Sequence, residues 1–159
     1  PAEALEVHGL TDGELATAPP FGQVIAEFLP HLDGAIPVAY NAEVDRTFLR
    51  EEFRRAGAAV PDALRSEMEW LDPLVWVRHL QQAERGFKLT EVAARMGIAL
   101  ERAHRAAGDA EAAGRVLLAV AKDLPARYVE AVRRQRELRT EQDQEKAAQR
   151  AARGTSWGM

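Results

Sequence analysis

Two short apolar runs, each opening directly into a helix with polar or acidic first residues, constrain this chain more than any other feature. The first is Ile36, Pro37, Val38, Ala39 and Tyr40, which follows the turn signal Asp33-Gly34 and leads into Asn41-Ala42-Glu43-Val44-Asp45. The second is Met68, Glu69, Trp70 and Leu71, which leads into Asp72-Pro73. Apolar runs this short between turn signals read as buried strands. Asp72 as cap and Pro73 at the first helical position start the next helix. Pro37 has no backbone N–H, so the first strand begins near a sheet edge.

Helical periodicity fills most of the remainder. Residues 1–19 carry turn chemistry at Gly9, Asp12-Gly13 and Pro19-Pro20 and read as irregular or briefly helical. From Phe21 a stripe of Val24, Ile25, Phe28, Leu29 and Leu32 predicts an amphipathic helix, with Pro30 kinking or ending it. The helix after Tyr40 is expected to turn Val44, Phe48, Leu49 and Phe53 inward and Arg46, Arg50, Glu51 and Arg54 outward, with Gly57 as its stop. Further helices are predicted over residues 73–84, 89–96 and 106–122, the last packing Ala113, Val116, Leu117 and Val120. Beyond Pro125 a charged helix has Tyr128, Val129, Val132 and Leu138 as its anchors, and residues 139–153 read as solvated unless a partner docks there.

Composition narrows the class. With 159 residues, 47% hydrophobic and 29% charged, the chain has enough material for one core. A formal charge of −4 gives no global positive field, so any contact with nucleic acid rests on local clusters. Arg46, Arg50, Arg78, Lys88, Arg102 and Arg105 could supply such contacts, although a solvated helix face accounts for them equally well. The absence of cysteine excludes disulfides and thiolate metal sites and fits a reducing cytoplasm. No apolar run approaches the roughly 18 residues of a membrane span. The sequence begins at Pro1 rather than Met, from which an upstream portion is expected.

The candidate chemistry lies in two places. Asp45, one turn into a helix that leaves a strand, is expected at the carboxyl end of the sheet, where open α/β folds build their sites. Asp109 has a similar place in the first turn of its own helix, and His104 stands five residues before it. Two aspartates from separate elements suit hard divalent cations, which in pairs about 3.5 to 4 Å apart can clamp both oxygens of a phosphodiester displacement. An imidazole with an unperturbed pKa of about 6.5 suits removal of a proton from an attacking water. Each residue taken alone reads more readily as a cap, a partner of the helix dipole or an exposed side chain, and it is their combination in order that points to a site.

The order of several blocks adds to this. Val7-His8-Gly9-Leu10-Thr11-Asp12, Pro20-Phe21 and the segment from Val38 through Asn41-Ala42-Glu43-Val44-Asp45 to Leu49 resemble successive blocks of the DEDDh exonucleases. That is the family of the proofreading epsilon subunit of bacterial DNA polymerase III. Leu71-Asp72-Pro73-Leu74, Lys88-Leu89 with Met96-Gly97-Ile98, and Ala103-His104-Arg105-Ala106-Ala107-Gly108-Asp109 continue the resemblance in order, over roughly residues 1–121.

The resemblance implies an RNase H-like α/β fold that removes nucleotides from a 3′ end with two divalent cations, Mg²⁺ or Mn²⁺. It makes Asp45 and Asp109 metal ligands, His104 the catalytic base, and His8 and Asn41 residues that line the nucleotide site. The nucleic acid 3′ end, foremost single-stranded DNA, is the implied partner, with a DNA polymerase subunit as a further one and no membrane. Residues 1–123 would form a partial exonuclease domain and 124–159 a charged helical extension.

Two departures from the family pattern stand out. Where the family often has His-Asn-Ala-x-Phe-Asp, this chain has Tyr40 and Val44 in place of His and Phe, which is expected to alter the wall of the nucleotide pocket. The family's first motif, an Asp-x-Glu on an apolar strand, is missing. Asp12-Gly13-Glu14 copies its spelling but lacks the strand. The chain is therefore expected to be truncated at its N-terminus, mostly helical with about two strands, poorly stable and inactive by itself. Three functions remain open: a DNA exonuclease of proofreading or repair, an enzyme of the same family that degrades RNA or oligonucleotides, and a degenerate, non-catalytic module that binds a polymerase.

Overall fold

A computed structural model describes residues 9–65, 69–100 and 106–154. Seven α-helices are present among them: α1 (Asp12–Thr17), α2 (Phe21–Phe28), α3 (Ala42–Arg55), α4 (Pro73–Leu80), α5 (Leu89–Arg95), α6 (Ala106–Val120) and α7 (Tyr128–Gly154). Single 3₁₀ turns occupy Leu29–His31, Asp62–Leu64 and Ala121–Asp123.

No extended strand forms among the described residues. The two segments expected to be strands meet instead in one parallel bridge, Val38 with Leu71. Ala39 N–H donates to the Leu71 carbonyl at 3.2 Å, and Leu71 N–H donates to the Pro37 carbonyl at 3.0 Å. Pro37, which can donate nothing, serves as an acceptor at the edge of the pairing. The expectation of about two strands is thus not confirmed among the described residues, which are mostly helical; Met68 of the second expected strand lies outside them.

Helix boundaries follow local chemistry. Thr11 and Glu14 form a reciprocal capping box on α1, with Thr11 N–H donating to Glu14 Oε2 at 2.8 Å. Pro30 cannot continue α2, and the chain tightens there into the Leu29–His31 3₁₀ turn. Gly57 ends α3 at φ +65°, a conformation a side chain would resist, while Ala58 N–H reaches back to the Phe53 carbonyl. The helix predicted over 73–84 stops at Leu80 and gives way to a turn, so α4 is shorter than its periodicity suggested.

Two sub-cores result. Phe53, Leu64, Ala63, Trp70, Ala42 and Leu32 form one, with Phe21, Ile25, Phe28 and Leu49 packed against it. Phe53 lies edge-on to Phe21, with ring centroids 5.2 Å apart. Trp76, Val77, Val92, Val116, Val120, Ala131 and Leu138 form the second. Helix α4 is central to it, packing on both α6 and α7.

The faces of two helices differ from expectation. Phe53 is buried, but Val44 and Phe48 are 61% and 67% exposed, so the inward face of α3 is the one that carries Ala42, Leu49 and Phe53. On α7, Val129 points outward, whereas Ala131, Val132, Gln135 and Leu138 are buried. Arg139 and Gln142, placed by the sequence in a solvated tail, also contact the body: Gln142 Nε2 donates to the Val75 carbonyl at 2.9 Å.

Candidate functional site

The parallel bridge sets the geometry of the candidate site. Two segments running in the same direction deliver the starts of α3 and α4 to the same end of the pairing. Asn41, the residue before α3, adopts a left-handed conformation at φ 67° and ψ 49°, which asparagine tolerates better than most residues. Its side chain forms no capping hydrogen bond to the helix. The cap comes from Asp72 instead.

Asp72 is 3% exposed and holds both helix starts. Its Oδ1 accepts from Asn41 N–H at 2.9 Å and from Leu74 N–H at 3.0 Å. Oδ2 accepts from Ala42 N–H at 3.1 Å and pairs with Arg139 Nη2 at 3.2 Å. Burial pushes this carboxyl above its ordinary range, while the Asn41 N–H, Arg139 and the Leu74 and Ala42 N–H groups pull the other way. A carboxylate between two helix N-termini is also favoured by both dipoles.

The C-terminal helix closes this arrangement. Gln135, fully buried, accepts at Oε1 from Asp72 N–H at 2.8 Å and from Trp76 Nε1–H at 3.1 Å. Its Nε2 donates to the Trp70 carbonyl at 2.8 Å and to Glu69 Oε1 at 3.1 Å. The amide is therefore satisfied on both sides, as a buried polar group must be. Arg136 pairs with Glu69 one position further on. These residues were not legible as a site in the sequence. The available signal was a stripe of spacing three and four, Ala131, Gln135, Leu138 and Gln142, obscured because two of its members are polar.

The expected site residues are distributed as follows. Asp45 lies on α3 a single turn beyond the Asp72-held start; it is exposed, yet partial desolvation raises its carboxyl above the ordinary value. Asp109 lies on α6, half-buried, in the first described turn of that helix. Helix α3 packs on α2 and on the Asp62–Leu64 turn, whereas α6 packs on α4 and α5, so the two aspartates stand on different sub-cores. Asn41 and Asp45 share one helix start. His8 and His104 lie outside the described residues.

Asp12 and Glu14, which copy the spelling of the first motif without its strand, occupy the exposed first turn of α1, where Glu14 bonds to Thr11. Among the described residues, no group of three or more His, Asp or Glu side chains lies where it could hold a metal ion.

Tyr40, which stands where the family often has His, is anchored at the end of the bridged segment. It is half-buried and its hydroxyl donates to the Phe87 carbonyl at 2.7 Å, tying the end of the bridged segment to the loop before α5. Burial pushes its hydroxyl up to about 12. The same loop is gathered by Arg95, which reaches the Gly86 carbonyl at 3.0 Å and stacks on Phe87 with its guanidinium 5.7 Å from the ring centroid. Of the cations considered for phosphate contacts, Arg46 pairs with Glu43 at 2.7 Å and Arg78 lies over Phe87, so both have structural partners. No described helix is long and apolar enough to cross a membrane.

Comparisons with known proteins give the family. The chain is 32% identical over 124 residues to the 3′-5′ exonuclease DinG of Bacillus subtilis, covering 78% of this chain and 13% of that protein. It is 32% identical over 118 residues to the PolC-type DNA polymerase III of Streptococcus suis, covering 74% of this chain and 8% of the relative. The PolC-type polymerase of Streptococcus thermophilus is 34% identical over 119 residues, covering 75% and 8% respectively. The chain thus spans only about a tenth of the length of these curated relatives. No solved structure matches it. A family model for exonucleases matches residues 1–117, and the chain accordingly belongs to the exonuclease family.

Proposed function

We propose that these residues form part of a 3′→5′ exonuclease acting on DNA ends, in proofreading or repair. The observation that carries this reading is the placement of Asp45 a turn beyond a helix start fixed by a buried carboxylate, within a chain whose relatives include a 3′-5′ exonuclease and PolC-type polymerases. In this reading Asp45 and Asp109 are metal ligands, His104 is the base, and His8 and Asn41 face the nucleotide. Two divalent cations, Mg²⁺ or Mn²⁺, are the cofactors. The remaining carboxylates must come from an Asp-x-Glu pair on an apolar strand, which is not among these 159 residues, so the residues alone are expected to be inactive. Residues 1–123 serve as the partial exonuclease domain and 124–159 as its helical extension. A polymerase subunit is the natural partner for such an activity, and the cysteine-free composition suits the cytoplasm.

The chemistry assigned to the described side chains is limited to binding and placement. Asp45 is held by α3, whose start cannot shift without disturbing Asp72. Rigid first residues suit a carboxylate that must be positioned within a fraction of an ångström. An assay of the full-length protein on labelled DNA and RNA 3′ ends in Mg²⁺ tests the reading. Asp45→Asn, Asp109→Ala and His104→Ala should each slow release from the 3′ end by about a hundredfold or more. Unchanged rates would remove the assignment, and faster release from RNA than from DNA would move the substrate to RNA.

A further inference from the structure

We infer that Arg139 is a positioning residue for Asp45, acting from the C-terminal helix through Asp72; this rests on the reading of Asp45 as a functional carboxylate. The family match ends at residue 117, so α7 lies beyond it. Yet α7 supplies a cationic partner for the buried carboxylate that holds α3: Arg139 Nη2 lies 3.2 Å from Asp72 Oδ2. The same guanidinium approaches Glu43, in the first turn of α3, at 3.9 Å. One turn earlier on α7, Gln135 grips the Asp72 backbone N–H. Thus α7 contacts Asp72 through both its main chain and its side chain.

The consequence is mechanical and electrostatic. Asp72 Oδ2 accepts from Ala42 N–H and from Arg139 together, so the cation fixes the oxygen that caps α3. Asp72 itself is nearly inaccessible to water, which cannot replace a lost partner freely. Asn41 is in a left-handed conformation without a side-chain cap; its carbonyl accepts from Val44 N–H at 3.1 Å, but its own N–H is held by Asp72. Loss of the cation therefore loosens the Asn41–Ala42 peptide groups first, and Asp45 moves with the helix they begin.

Arg139 is part-exposed, so its replacement is compatible with folding. In the full-length protein, Arg139→Met should accelerate amide hydrogen exchange at Asn41 and Ala42 by about tenfold while Val116 and Val120 keep their protection. It should lower kcat for 3′-end release by about tenfold with KM within about twofold, and Arg139→Lys should restore most of both. Unchanged exchange at Asn41 and Ala42 would overturn the inference, as would exchange accelerated equally across α6. So would a normal kcat in Arg139→Met when Asp45→Asn is inactive. If Asp45→Asn is fully active, the exonuclease assignment of Asp45 falls instead, and the exchange measurement still decides whether Arg139 holds α3.

Discussion

Asp72 joins three helices through one carboxyl group: α3 and α4 by backbone N–H donors and α7 by Arg139. Removing it strands donors that are buried with it. Asp72→Ala should lower the unfolding free energy by about 3 kcal/mol, a helix cap contributing about 1 and an unpaired buried donor about 1 to 3. Chemical denaturation measures this, and a loss below about 1 kcal/mol would show that water replaces the carboxylate. The pH dependence has a definite sign. Burial raises the folded-state pKa of Asp72 above the ordinary carboxylate value, so the folded protein holds this proton more tightly than the unfolded chain does. Stability contributed through this group is present below the unfolded pKa and declines as pH rises through the folded one. Arg139 pulls that pKa down, so in Arg139→Met the Asp72 carboxyl should titrate at higher pH and the decline should extend upward with it. Carbonyl NMR of Asp72 across pH checks this; an unmoved midpoint would show that Arg139 is electrostatically idle.

At the scale of elements, α3 separates apolar residues by face rather than by type. Phe53 is buried against Phe21 and Phe28, while Phe48 on the same helix is 67% exposed. Phe53→Ala should cost about 3 to 5 kcal/mol, and Phe48→Ser should stay within about 0.5 kcal/mol, because only the first leaves a cavity. Comparable losses at both positions would mean that Phe48 is covered in solution. Helix α7 shows the complementary case, in which a polar residue belongs to the core. Gln135→Leu keeps the volume but leaves Asp72 N–H, Trp76 Nε1–H and the Trp70 carbonyl without their partner. It should destabilise the protein by about 2 to 3 kcal/mol, measured by denaturant unfolding, and a neutral effect would argue against the network.

For the whole molecule, the described residues form two sub-cores tied by one parallel bridge and by the hydrogen bonds of Asp72 and Gln135. Parallel pairing is stable chiefly within a larger covered sheet. These residues alone should therefore unfold at a lower temperature than a chain extended upstream by apolar strands. Thermal unfolding of the two side by side tests this, and equal midpoints would refute it.

The local sequence was sufficient wherever a residue's own chemistry decides. Pro30 breaks α2, Gly57 ends α3 and Asp72 with Pro73 starts α4, because each acts on the backbone within a few residues. The order of motifs also sufficed for the exonuclease family. The fold class was legible only in part: the mostly helical character is present, while the two expected strands meet in a single bridge. Long-range geometry decided the rest. Periodicity marks that α3 and α7 have faces, but neighbours choose which face is buried, and they set Phe48 outward and Gln135 inward. Asp72 read as the cap of one helix; only the parallel approach of two chain segments brought the start of α3 within 3.1 Å of its carboxylate and made it the cap of a second. A hydrogen bond between residues separated by 30 or more positions leaves no periodic trace in the sequence, because its partners are matched by packing rather than by spacing.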